Sequence, residues 1–316
     1  MTQPVSAKIC YRNAKSAETL SGCRKTETEK RIKALKEHSA LSAPGHTTGE
    51  AFAFSRAANI LTDAAAKAGA AIMRHYHEGP EVTLKDDKSP VTAADHDSQA
   101  ILLDALKHLA PDIPVVSEED AGDRSKTLPR RFFLVDPLDG TKEFIKQRTD
   151  FTVNVALIED GAPYFGLVYA PARSVLALTP APGTAVETEL APNVGGADFS
   201  TLTCRSIHVR KPAAGGLVAV VSRSHLDAET VKFLAGYTIA SRSDAGSSLK
   251  FLLVARGEAD VYPRLGPTME WDTAAGDAVL RAAGGRVFDA RGGPFIYGKT
   301  NAGLRNSGFV AWGATP

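Results

Sequence analysis

The stretch Phe132-Phe133-Leu134-Val135-Asp136-Pro137-Leu138-Asp139-Gly140-Thr141-Lys142-Glu143-Phe144 holds the residues most able to do chemistry. Its apolar run, Phe132 to Val135, predicts a buried strand. Asp136 ends that run and Asp139 follows three residues later. Asp-Pro-Leu-Asp predicts a β-turn, with Asp at position i and Pro, which fixes φ, at i+1. Such a turn would aim two carboxylates at one point. Gly140 would let the backbone approach a ligand, and Thr141 would open a short helix whose free N–H groups suit a phosphate. The pattern serves hard cations and a phosphoryl group. Asp-Pro and Asp-Gly also mark ordinary solvated turns, so the stretch alone leaves both readings open.

Other acids stand at the ends of predicted elements. Val91-Thr92-Ala93-Ala94-Asp95 leads into a helix with Ile101, Ala105 and Leu109 on one face, stopped by Pro111. Asp95 fits catalysis, and it equally fits a capping partner of Thr92. A short strand over 113–116 ends in Ser117-Glu118-Glu119-Asp120. Far downstream, Glu270-Trp271-Asp272 enters a helix over about 273–283, closed by Gly284-Gly285, where Asp272 also fits an N-cap.

The elements that must position these acids alternate. Thr47 and Glu50 are spaced as a capping box, and Leu61, Ala65, Ala68 and Ile72 predict a helix over about 51–77. Thr83 to Pro90 predicts an exposed loop. Strands over 151–158 and 164–169 are joined through Asp160-Gly161, a hairpin signal. Residues 180–200 predict a loop region or boundary. A buried strand over 217–221 ends in Ser222-Arg223-Ser224-His225, and a helix over about 227–235 follows. Asp244 to Lys250 opens another helix, ended by Gly257, and a strand over 259–262 leads through Pro263-Arg264. The alternation predicts a mixed α/β architecture. It divides into a mobile extension over 1–46, an α+β half over 47–185 carrying the acidic turn, and an α/β half over 186–316.

Bulk composition excludes several classes. With 43% hydrophobic and 23% charged residues among 316, the chain reads as a soluble globular protein. A net charge of +1 provides no field for nucleic acid. No apolar run reaches the roughly 18 residues of a membrane span. Three cysteines lack metal spacing and fit a reduced, cytoplasmic setting. Residues 1–46 hold nine Lys/Arg against four acids without an apolar core, so they are no secretory signal. Weak peripheral association with the cytoplasmic face of the inner membrane is the alternative reading of that segment.

Asp136-Pro137-Leu138-Asp139-Gly140-Thr141, Ser117-Glu118-Glu119 and Trp271-Asp272-Thr273-Ala274-Ala275-Gly276 together resemble the inositol monophosphatase superfamily of Mg²⁺-dependent, lithium-sensitive phosphatases. The resemblance covers about 51–316. Lys142-Glu143-Phe144-Ile145-Lys146, Ser222-Arg223-Ser224-His225, Gly246-Ser247-Ser248-Leu249-Lys250-Phe251 and Tyr262-Pro263-Arg264 are similar to its bacterial 3′(2′),5′-bisphosphate nucleotidases of sulfur assimilation. The resemblance implies a layered α/β/α/β/α fold and two or three Mg²⁺ per site. It implies that Glu118, Asp136 and the Leu138 carbonyl hold one Mg²⁺, and that Asp136, Asp139 and Asp272 hold a second. Carboxylate and carbonyl oxygens without His or Cys suit that ion. Asp95 and Thr141 would orient and deprotonate the attacking water, with the Gly140 and Thr141 amides on the phosphate. His225, Ser247, Lys250 and Arg264 would contact the nucleotide. The implied substrate is 3′-phosphoadenosine 5′-phosphate, yielding AMP and phosphate. The alternatives are an inositol, histidinol or fructose phosphate, or a metal- and nucleotide-binding protein without turnover.

Overall fold

The computed structural model describes residues 52–79, 82–84, 90–120 and 126–314. The extension over 1–46, the Thr47/Glu50 capping pair and residues 85–89 of the expected loop lie outside them. Five layers account for the described chain. On the outside lie helices α1 (Phe54–Glu78) and α2 (Ala93–Leu109). Next comes a seven-stranded sheet: β3 (Val115–Ser117), β4 (Arg131–Asp139), β5 (Thr152–Glu159), β6 (Ala162–Ala170), β7 (Val175–Ala181), β8 (Thr184–Glu189) and β9 (Arg205–Ser206), in that order. Only the β3–β4 pair in it is parallel.

Alternation along β4 shows why one sheet serves two cores. Phe133 and Val135 point to the core shared with Leu61, Ile72, Leu102 and Leu106 of α1 and α2. Phe132 and Leu134 point the other way, to α5 (Leu249–Ala255) and α6 (Trp271–Ala282). A period of two sends neighbours to opposite faces, and both faces are covered. Behind α5 and α6 lies a five-stranded sheet in the order β11 (Ile239–Ala245), β10 (Leu217–Ser222), β12 (Val261–Arg264), β16 (Phe309–Trp312), β14 (Arg286–Asp289). On β16, Phe309 and Ala311 face the inner core, while Trp312 meets Phe233 at the end of α4 (Ala228–Leu234) on the far side. The α/β/α/β/α layering follows. Among the described residues no helix is long and apolar enough to cross a membrane.

Several local expectations need correction. The first helix begins at Phe54, and its N-cap, Ala53, makes no side-chain cap. Phe52 instead packs edge-on against Phe54 and Tyr164, and tilted contacts join Phe52 to Phe165 and Phe54 to Tyr164, so aromatic packing sets the entry. On α2 the inward stripe is Asp95, Ser98, Leu102, Leu106 and Leu109, with Ile101 and Ala105 half-buried. Polar residues occupy the core side: the Ser98 hydroxyl donates to the Pro137 carbonyl at 2.8 Å. Val82–Leu84 (β1) and Pro90–Thr92 (β2) pair antiparallel at the flanks of the expected loop. Residues 180–189 form a hairpin, closed where Ala181 pairs Thr184 around Pro182-Gly183, and β8 crosses the 185/186 boundary within the same sheet. Asp244 and Ala245 end strand β11, and the helix opens only at Leu249.

Candidate active site

The acidic motif is not a turn. β4 runs through it, with Asp136 opposite Asn154 and Asp139 opposite Thr152 on β5. Three steps on one strand face two on the other, which is a β-bulge. Pro137 has no N–H to lose there, and the Leu138 N–H donates to Asp136 Oδ1 at 3.1 Å. The bulge does what the turn was expected to do, because an extra residue re-aims the side chains around it. Gly140 then takes φ +94° and caps the five-residue helix α3 (Thr141–Ile145). A Cβ at that glycine would lie 2.9 Å from the Asp150 carbonyl, so no other residue fits.

Two further chain segments deliver the other acids of the cluster. Glu118 follows β3, with its N–H bonded to the Val135 carbonyl at 3.1 Å, which places it beside the end of β4. Asp272 is the second residue of α6; Glu270 holds the N-cap position, and Asp272 Oδ2 accepts the Met269 N–H at 3.0 Å. One oxygen each from Glu118, Asp136 and Asp272 lies within 4.8 Å of the others. That trio draws on both expected ligand sets. Asp139 lines the same cleft and accepts the Ser248 N–H at 2.6 Å.

Counter-charge offsets burial and mutual repulsion at Asp136, Asp139 and Asp272 only in part. Burial first, then Glu118, Asp139 and Asp272, holds Asp136 well above the usual carboxylate range. Burial pushes Asp139 up to about 6, although Lys250 and the Ser248 amide oppose it. Burial, then Asp139 and Glu118, pushes Asp272 up to about 8. A divalent cation among these oxygens would offset their mutual repulsion and favour the ionised carboxylates despite burial. The donor set, carboxylates and the Leu138 carbonyl without imidazole or thiolate, therefore fits a hard cation.

Asp95 serves two partners with its two oxygens. Oδ2 accepts the Thr92 N–H at 2.8 Å and the Thr92 hydroxyl at 2.7 Å. Oδ1 lies 3.5 Å from Thr141 Oγ1, which is also 3.3 Å from the Leu138 carbonyl. Capping and proximity to Thr141 thus coexist. Burial pushes Asp95 up to about 6 against the Thr92 donors.

The same cleft, about 300 Å³ in volume, is also lined by Lys142, His225, Ser247, Lys250 and Arg264. All four residues expected to contact a nucleotide are there. Burial pushes Lys250 down to about 8, partly opposed by Asp139. Burial, then Arg264 and Lys142, holds His225 below the usual imidazole range. Ser247 has φ +44°, and its hydroxyl and Arg264 Nε are buried without partners. Such orphans mark where a ligand's oxygens would go.

Sequence reasoning missed the supports. Ser248 Oγ bridges Thr152 Oγ1 and Asn154 Oδ1, at 2.7 Å each, tying the 246–250 segment to β5. Its neighbours in Gly246-Ser247-Ser248 were the available signal. Glu143, buried behind Thr141, accepts the Ser224 hydroxyl. Asp150 accepts from Arg173, Arg223 and the Gly246 N–H, and no local pattern points to it.

A model of the inositol monophosphatase family matches residues 55–312. A Shigella flexneri protein named 3′(2′),5′-bisphosphate nucleotidase CysQ is 46% identical over 248 residues, covering 78% of this chain and 95% of that protein. Its Escherichia coli K12 counterpart is 45% identical over the same span and coverage. The crystal structure of CysQ from Bacteroides thetaiotaomicron, described as a bacterial member of the inositol monophosphatase family, superposes with a TM-score of 0.68 at 35% identity. It covers 84% of this chain and 99% of that one.

Proposed function

The chain belongs to the inositol monophosphatase family, and we propose that it is a Mg²⁺-dependent 3′(2′),5′-bisphosphate nucleotidase. Its substrate in this reading is 3′-phosphoadenosine 5′-phosphate, cleaved to AMP and phosphate in support of sulfur assimilation. The relatives named for that activity support it. The observation that carries it is one cleft lined both by Glu118, Asp136, Asp139 and Asp272 and by His225, Ser247, Lys250 and Arg264. The acids suit a metal-bound phosphoryl group, and the cations suit a second phosphate on the same molecule.

Magnesium held by Glu118, Asp136, the Leu138 carbonyl, Asp139 and Asp272 would supply charge neutralisation, a more acidic water and a stabilised leaving oxygen. The chain's own residues do the rest. Asp95 Oδ1 takes the Thr141 hydroxyl proton, a contact that tightens when substrate binds. The Thr141 oxygen then accepts a hydrogen bond from the attacking water and orients it. The Gly140 and Thr141 amides hold the phosphoryl oxygens. Asp95→Asn removes the carboxylate that takes the proton and lowers kcat by roughly 10²–10⁴-fold; near-normal turnover of the purified variant would refute the role.

The residues up to 185 carry the metal-binding bulge in this reading, apart from Asp272, and those from 186 carry the nucleotide contacts. The location is cytoplasmic. Residues 1–46 lie outside the described residues, and liposome co-sedimentation with and without them tests peripheral membrane association. The deciding experiment for substrate is phosphate release with Mg²⁺ across 3′-phosphonucleotides and inositol, histidinol and fructose phosphates. The bisphosphate nucleotide should show the highest kcat/KM; a sugar phosphate that outruns it would overturn the assignment.

A further inference from the structure

Asp150 touches neither the acids nor the open cleft, yet three parts of the site converge on it. Its side chain is 2% exposed, and its carboxylate accepts from Arg173 Nη2, from Arg223 Nη1 and from the Gly246 N–H at 3.1 Å. Arg223 lies between Ser222 and Ser224, which line the cleft with His225. Its other nitrogen donates to the Asp244 carbonyl at 3.2 Å, so it also fixes the end of β11. Gly246 begins the segment that carries Ser247 and Lys250. The backbone of Asp150 abuts Gly140, whose Cβ would lie 2.9 Å from the Asp150 carbonyl. A Cβ at Gly246 would lie 2.7 Å from Asp150 Cβ. One residue thus packs its backbone against Gly140 and holds, through its buried side chain, both the Ser222–His225 and the Gly246–Lys250 segments. Its charge is well provided for: the Gly246 amide and both guanidiniums outweigh burial and hold it below the usual range.

Resting on the bisphosphate reading above, we infer that Asp150 is a positioning residue for substrate selectivity. It clamps the Ser222–His225 and Gly246–Lys250 segments at the spacing a nucleotide with two phosphates requires. The carboxylate is the common acceptor, Arg223 and the Gly246 amide are its two arms, and Arg173 balances its charge from the Pro171–Arg173 turn. A small phosphomonoester, which reaches only the acidic wall, does not need that spacing.

The sign of the effect separates a clamp from a field. Removing a negative charge beside an anion site would, through Coulomb attraction alone, tighten binding of a polyanion. A clamp predicts the opposite. In Asp150→Asn, the ratio of kcat/KM for the bisphosphate nucleotide to that for p-nitrophenyl phosphate should fall by up to about 10²-fold, mainly through KM. Asp150→Glu should restore most of it. If Asp150→Asn does not fold, Arg223→Gln removes one arm from a side chain that is 34% exposed and should lower the ratio in the same direction. An unchanged or raised ratio overturns the proposal. Hydrogen exchange at the Gly246, Ser247 and Ser248 amides needs no substrate: it should quicken in either variant, and unaltered protection also overturns the clamp. A wild-type enzyme without preference for the bisphosphate would refute the substrate reading, while exchange would still decide the clamp.

Discussion

Two sets of buried acids in this molecule are partnered in different ways. Asp260 and Asp277 are fully enclosed, and each receives a bidentate arginine. Arg210 reaches Asp260 at 2.9 and 3.0 Å, and Arg281 reaches Asp277 at 2.7 and 3.0 Å. Backbone or phenol donors complete both shells, from the Val218 N–H and the Tyr297 hydroxyl. Asp136, Asp139 and Asp272 lie among one another and Glu118, and all three are held above the usual carboxylate range. The fold pairs the first set directly with arginines. It offsets the second only in part, through Lys250 beside Asp139 and through Arg264, and leaves negative charge for a cation from solution to neutralise. Buried charge costs free energy unless paired, so an under-compensated acidic cluster lining a cleft has a functional reason.

The comparison breaks most readily at Asp136. Asp136→Asn keeps shape and hydrogen-bonding capacity while removing one charge from the cluster. Several kcal/mol of metal-supplied transition-state stabilisation should go with it, at least about 10³-fold in kcat/KM at 1.36 kcal/mol per decade. The metal-free variant should melt no lower than the parent, because like-charge repulsion is relieved. Wild-type turnover, or a large drop in metal-free Tm, would place Asp136 among the structural acids.

Asp277→Ala is the converse. It leaves Arg281 without its partner and the Tyr297 hydroxyl without its acceptor, and breaking a buried pair costs about 3–5 kcal/mol. Arg281 remains 35% exposed, so the low end, roughly 3 kcal/mol, is expected. Denaturant midpoints should shift accordingly, while kcat of the folded enzyme holds. Loss of activity without loss of stability would contradict the division.

How legible the two sets were from sequence follows from their construction. The site acids end elements and sit in short motifs: Asp136 and Asp139 flank one proline, Glu118 follows a strand, and Asp272 opens a helix. Their types and order were readable. The backbone form was not, because Asp-Pro-Leu-Asp suits a turn locally, and pairing with Asn154 and Thr152 converts it to a bulge. The layering was implied by resemblance, whereas β7, β8, β11, β14 and β16 went unread. Small residues hid the hairpin at Pro182-Gly183, and β11 is mostly exposed without apolar alternation. The supports were least legible. Asp150 meets Arg223 and Gly246 across gaps of 73 and 96 residues, and no local spacing encodes such contacts.

Metal removal sharpens the contrast by sign. In metal-free protein the folded state binds protons more tightly than the unfolded chain at Asp139 and Asp272, whose pKa values rise from 3.8 to about 6 and about 8. The stability they contribute is therefore full below pH 3.8 and lost as pH rises through those values. Melts in chelator should fall between about pH 5 and 8. Mg²⁺ should restore Tm most at the alkaline end, with about 2.7 kcal/mol at 100 times Kd. The same Mg²⁺ addition should leave Asp136→Asn nearly unmoved. A Mg²⁺ effect that is equal at both pH values, or intact in that variant, would separate the cluster from the metal.

Lys250 provides the smallest and most selective test, because it is a buried cation lining the cleft beside Asp139. It is 2% exposed, its Nζ donates to the Ser247 carbonyl and lies 5.2 Å from the Tyr262 ring centre, and burial pushes it down to about 8. Its ammonium is thus complete below about pH 7 and largely lost by pH 9 in the free enzyme. Because kcat/KM reports free-enzyme ionisations, turnover of the bisphosphate nucleotide should decline through pH 8, by up to about ten-fold per unit. In Lys250→Arg the guanidinium stays charged across that range. The absolute rate should drop, since the longer fork does not fit the Ser247 carbonyl and Tyr262 face, yet the alkaline decline should flatten. A decline that persists unchanged in Lys250→Arg would assign it to another group and leave Arg264 as the principal cation opposite the acids.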